Sequence, residues 1–135
     1  MKVYFIFEVK NEFKKMYRGR ENALFNILKS IYKLSSDEVE YGYTLLKQVT
    51  NTIKKDDLDR DIYVKLHREY PYSKKDGIHY YNLLYKDEIS RLIIKKTYIR
   101  LEVEQDESSF FEVLKKYSDN LFVCDFDKLN YFYIN

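Results

Sequence analysis

The chain's 135 residues are 45% hydrophobic, with 3 Gly, 1 Pro and 1 Cys. That suits one domain, 1–135, with a core that needs no staple, and it excludes low-complexity disorder, a collagen-like repeat and an intrachain disulfide framework. The 24 Lys and Arg nearly cancel the 22 Asp and Glu, for a net charge of +2, and the two signs interleave, so the basic stripe of a dedicated nucleic-acid binder is not visible.

Val3, Phe5, Phe7 and Val9 alternate with Tyr4, Ile6 and Glu8, a period-two run that is apolar on nearly both faces and predicts a central strand. Glu8 breaks the N-terminal apolar run MKVYFIFEVKNEF, which is too short for a secretion signal, and no other stretch reaches the ~18 apolar residues of a membrane span. A soluble, cytoplasmic protein without a membrane contact is expected. Asn11 is placed as the N-cap of a short helix carrying Phe13, Met16 and Tyr17, and Gly19 ends it. A second helix starts near Glu21 and directs Leu24, Ile27, Leu28 and Ile31 inward at spacings of three and four. Ser35 and Glu38 have the spacing of a capping box and open a third helix with Val39, Tyr43, Leu46 and Val49 on its apolar face.

Residues 54–61, KKDDLDRD, read as a solvated charge run. Ile62 to Tyr70 fits a helix or a strand, and Pro71 to Gly77 reads as a loop with an Asp76-Gly77 turn. The C-terminal half is β-rich. Leu92 to Lys96 and Tyr98 to Glu104 form a hairpin, and Ile99, Leu101 and Val103 mark the buried side of its second strand. Ser109 and Glu112 repeat the capping-box spacing before a helix FFEVLKKY; Leu121 to Phe126 is a strand, and Tyr131 to Ile134 adds an edge segment. The elements predict an α+β fold: a mostly antiparallel sheet with the N-terminal helices packed on one face, in a two-layer sandwich.

Catalytic constellations fail one by one. Asp57, Asp59 and Asp61 imitate the start of a calcium loop, but Ile62 and Arg68 stand where that loop needs Gly and Glu. Asp125 and Asp127 flank Phe126 as a carboxylate pair that merely finishes a strand. His67 and His79 supply at most two ligands where zinc needs three or four, and Cys124 lies in an apolar strand as a buried thiol. A Gly-rich phosphate loop and a G-x-S-x-G elbow are both missing. The chain therefore reads as a binding protein with no cofactor or metal and no catalytic residue.

The segment EFKKMYRGRENALF, residues 12–25, carries the strongest signal. Phe13 and Tyr17 are four apart and share a helical face, with Lys14, Lys15, Arg18 and Arg20 around them. Such an aromatic pair either packs on the sheet or forms a basic-rimmed docking patch for a protein. EFKKMYRGRENALF resembles the N-terminal signature of the SirA family, the sporulation inhibitors of replication of endospore-forming Firmicutes. FFEVLKKYSDNLFVCDFDKLNYFYIN resembles the family's C-terminal signature. The two segments cover roughly a third of the chain; residues 54–90 show little resemblance.

The resemblance implies an inhibitor that binds the N-terminal domain of the replication initiator DnaA, blocks its assembly at the origin during sporulation, and has no catalytic activity or cofactor. It implies a docking surface of Phe13 and Tyr17, joined by the third helix through Gln48 or its neighbour Lys47. Arg20 and Glu21 belong to the matched motif as helix-start or contact residues. The free protein is expected to be a monomer with no direct nucleic-acid contact. The alternative is a small nucleic-acid-binding module that stacks bases on Tyr and holds phosphates with Lys and Arg.

Overall fold

The alternation of the first strand sets the architecture. In β1 (Lys2–Glu8), Tyr4 and Ile6 point to one side of the sheet, and Phe5 and Phe7, continued by Val9, point to the other. Both sides are apolar, so both need cover. The computed structural model, which describes residues 1–134, supplies it with five helices around one seven-stranded antiparallel sheet. The remaining strands are β2 (Tyr72–Lys75), β3 (Ile78–Leu83), β4 (Glu88–Ile94), β5 (Ile99–Val103), β6 (Leu121–Asp125) and β7 (Asn130–Tyr133). The sheet order is β2-β3-β4-β5-β1-β6-β7. Phe5 pairs with Arg100 of β5 and Phe7 with Phe122 of β6.

The helices divide between the two faces. α1 (Asn11–Met16), α2 (Glu21–Tyr32) and α3 (Val39–Val49) pack against Phe7, Val9, Phe122 and Cys124. α4 (Lys55–Leu66) and α5 (Phe110–Tyr117) pack against Tyr4, Ile6, Leu92, Leu101 and Val123. The α+β class and the antiparallel sheet agree with the expectation, and the first three helices do lie on one face. The two-layer arrangement is corrected to a sheet with helices on both sides, because the second apolar face of β1 cannot be left to water.

Other corrections are local. The charge run 54–61 is the first half of α4: it is helical because Leu58, Ile62 and Leu66 recur at helical spacing and are buried. Pro71 to Gly77 contains β2, which ends in the turn Asp76-Gly77, both with positive φ (53° and 78°). That is the conformation of a two-residue hairpin turn, which Asp-Gly favours. α3 opens through a 3₁₀ turn, Ser36–Glu38, and Ser35 Oγ donates to the Glu38 carboxylate (3.0 Å) and not in a reciprocal box with the amides. Helix α1 begins at Asn11 itself, with Lys10 as its N-cap, and α5 is capped from across the fold: both Ser109 N–H (2.7 Å) and Ser109 Oγ–H (2.8 Å) donate to Glu88. No helix among the described residues is long and apolar enough to cross a membrane.

Candidate protein-docking surface

Helix α1 holds the predicted aromatic pair half-buried. Its rear is fixed to the sheet side: Asn120 Nδ2 donates to Asn11 Oδ1, and Lys14 Nζ donates to the Asp119 carbonyl (2.6 Å) while lying 5.0 Å above the Tyr133 ring. Lys14 is therefore a structural cation and does not rim the patch. The front of α1 carries Phe13 and Tyr17, whose rings stack with centroids 6.4 Å apart and an interplanar angle of 11°. Both touch the core formed by Phe7, Leu24 and Phe122, and both keep part of their surface in water. Packing on the sheet and presenting a surface thus coexist in the same two side chains.

The turn after α1 depends on its charged residues. Gly19 has φ 81°, a conformation that suits glycine, and its N–H donates to Glu21 Oε2 (3.0 Å) at the start of α2. Arg20 donates to the Met16 carbonyl (3.2 Å) and lies over the Tyr17 ring at 5.5 Å. Glu21 accordingly organises the helix start, and Arg20 extends the aromatic stack outward as a cation–π partner.

Helix α3 joins this surface through a face that periodicity placed only in part: Val49 is buried and Leu46 packs against the core, as expected. Val39 and Tyr43, expected inside, are 64% and 47% exposed. The inward positions are Gly42 and Val49, with Leu45 and Leu46 half-buried. The reason is steric: a Cβ at Gly42 would lie 2.9 Å from Leu34 Cδ1, so α3 crosses the end of α2 at its one residue without a side chain. An apolar groove of about 470 Å³ remains between α1, α2 and α3, lined by Phe13, Ile27, Ile31, Leu34, Leu45 and Gln48 among others. The fold therefore brings Phe13 and Gln48 to one groove. Lys47 is exposed on the outer face of α3 with its Nζ 4.5 Å above the Tyr43 ring, outside the groove lining.

The remaining candidates separate. Asp125 is buried and its Oδ1 accepts the Asp127 and Lys128 amides (3.1 and 3.0 Å), which shapes the β6–β7 turn; Asp127 is exposed. Cys124 is buried, and desolvation pushes its thiol well above the usual value. Asp57 and Asp61 point outward from α4 while Asp59 points inward. Sequence reasoning missed the partner of Asp59: His79 Nε2 lies 2.7 Å from Asp59 Oδ1, and His79 Nδ1 lies 2.7 Å from the Tyr72 hydroxyl. Among the described residues no cluster of three or more metal-ligating side chains occurs.

No curated protein matches the chain. The family model of the sporulation inhibitor of replication protein SirA matches it over residues 2–135, which includes the middle segment where the two signatures are silent. With nearly its whole length covered, the chain belongs to the SirA family of sporulation inhibitors of replication.

Proposed function

We propose that the protein restrains replication during sporulation by docking on the N-terminal domain of DnaA through the α1–α3 face, and that it does so by occlusion and not by catalysis. The observation that carries this reading is the groove itself. An apolar hollow of about 470 Å³ is rimmed from one helix by Phe13, whose stacked partner is Tyr17, and from another by Gln48. Aromatic anchors beside a hydrophobic pocket, with a polar group at the lip, match what protein interfaces use for affinity and orientation. Phe13 and Tyr17 already rest against the core, so little side-chain freedom is left to lose on binding. Arg20 and Lys47 serve as flanking cations, Arg20 nearer the aromatic pair.

The test is binding of purified variants to the isolated N-terminal domain of DnaA by calorimetry. Phe13→Ala and Tyr17→Ala should each weaken binding by about 2 kcal/mol, roughly thirtyfold, with the circular dichroism of the fold retained. Gln48→Ala should cost about 1 kcal/mol, the scale of one hydrogen bond. Wild-type affinity in both aromatic variants rejects this surface. DNA binding that collapses with added salt would favour the nucleic-acid module instead.

A further inference from the structure

On the face of the sheet opposite the groove lies a buried polar chain that the docking reading does not use. His79 is fully buried in β3, opposite Leu92 of β4 and with Phe110 of α5 edge-on at 6.5 Å. Its two polar partners come from the two elements that flank it: Asp59 from α4, and Tyr72 from the edge strand β2. A carboxylate only accepts, so His79 Nε2 carries the hydrogen that reaches Asp59, and in the neutral ring Nδ1 is left bare to accept from the Tyr72 hydroxyl. The second oxygen of Asp59 is held by Lys55 Nζ at 2.5 Å. With a neutral ring every polar atom of the chain is satisfied, the Tyr72 hydroxyl hydrogen included.

We propose that Asp59, His79 and Tyr72 form an acid-sensitive latch that holds α4 and β2 on the sheet and releases them when His79 takes up a proton. The charge count at the site supports it. Asp59 is already neutralised by Lys55, so a proton on His79 adds a net positive charge to a fully buried ring, with Lys74 of β2 adding repulsion. Protonation also turns Nδ1 into a donor facing the Tyr72 O–H, which must rotate away. Other titratable groups on this side include Glu69, which accepts from the Tyr81 hydroxyl (2.8 Å), Glu88, which accepts from Ser109, and Glu8, which accepts from the Tyr117 hydroxyl; Tyr63 lies edge-on to Tyr72. Burial, the largest influence, lowers the affinity of His79 for a proton, and its bond to Asp59 opposes that only in part. The unfolded ring titrates near 6.5. Stability is therefore complete above that pH and falls as pH drops from 6.5 through the lower folded value, because the open form binds the proton first. The loss stays local because β2 is a short strand at the edge of the sheet.

Hydrogen exchange followed by mass spectrometry, corrected for intrinsic rates, tests the latch between pH 7.5 and 5.5. In the wild-type protein the opening constant of α4 and of the β2–β3 pairs should rise by up to about tenfold per pH unit below 6.5, while β1 and β6 stay protected. In His79→Gln the dependence should vanish, and in His67→Gln, an exposed histidine, it should persist. Protection of α4 that is flat with pH, or a folded His79→Gln with the wild-type dependence, overturns the proposal. Should His79→Gln not fold, nitrogen-15 NMR of the wild-type histidines decides. A His79 ring that stays neutral as Nε2–H below pH 6 supports the latch, and one that titrates at the ordinary value overturns it.

Discussion

The two faces of the sheet are built on different principles. The face under α4 and α5 is closed mainly by aliphatic side chains that are almost fully buried, Ile6, Leu58, Ile62, Leu92, Leu101 and Leu114, packed around the buried ring of Phe110. The face under α1–α3 is aromatic and only partly closed, with Phe5, Phe13, Tyr17, Tyr98, Tyr131 and Tyr133 all half-buried around a smaller centre of Phe7, Leu24, Leu28 and Phe122. Aliphatic burial supplies stability in proportion to area, whereas half-buried Tyr and Phe keep surface available at low conformational entropy. The difference teaches that the fold separates a tightly closed layer from a half-open aromatic one, and the second is the layer to which the proposed function assigns the partner.

The hardest way to break this division is to open the closed face. Phe110→Ala removes a fully buried ring that packs edge-on against both His79 and Tyr81. The expected loss is about 3–5 kcal/mol in urea unfolding, comparable to much of a domain's stability. If the division holds, whatever fraction of Phe110→Ala stays folded binds DnaA's N-terminal domain with unchanged affinity per folded molecule. By contrast, Phe13→Ala should lower affinity far more than stability.

A smaller effect probes how α5 is fastened to the closed face. Glu88, at the start of β4, receives both the amide and the hydroxyl of Ser109, where the sequence pattern had suggested Glu112. Glu88→Ala leaves that amide without its acceptor and should cost about 1–2 kcal/mol in urea unfolding. Glu112→Ala, with Glu112 exposed on the outer side of α5, should cost less than about 0.5 kcal/mol. Equal effects in the two variants would restore the capping-box reading.

How much of this was legible in the sequence follows the same division. Period-two runs fixed β1 and β5 nearly to the residue, and FFEVLKKY matches α5 end to end, because each has a face that the chain itself marks. The middle was not legible, since its logic is tertiary. Asp59 looks like any acid in KKDDLDRD until β3 brings His79 to it, and the polar YSKK of β2 looks like loop because only Tyr72 faces inward. The candidate site divides likewise. Four-residue spacing marks Phe13 and Tyr17 as a pair, and only the resemblance of EFKKMYRGRENALF to the family's signature implies docking; Gln48 has no pattern of its own, and its place on the groove depends on Gly42, a residue that apolar periodicity does not count.

Gly42 offers the finest test of the separation. Alanine there gains about 1 kcal/mol of helix propensity over glycine, but its Cβ would sit 2.9 Å from Leu34 Cδ1, the free end of a half-buried side chain. Leu34 can turn aside, and the direction open to it is the groove it already lines. The two contributions nearly cancel in the fold and do not cancel at the surface. Gly42→Ala should therefore change urea stability by less than about 1 kcal/mol while weakening binding to the DnaA domain severalfold. Tighter packing of α3 would then come at the expense of the hollow that α3 leaves open. An unaltered affinity would mean that the Leu34 end of the groove lies beyond the partner's reach, confining the docking surface to the end formed by Phe13 and Gln48.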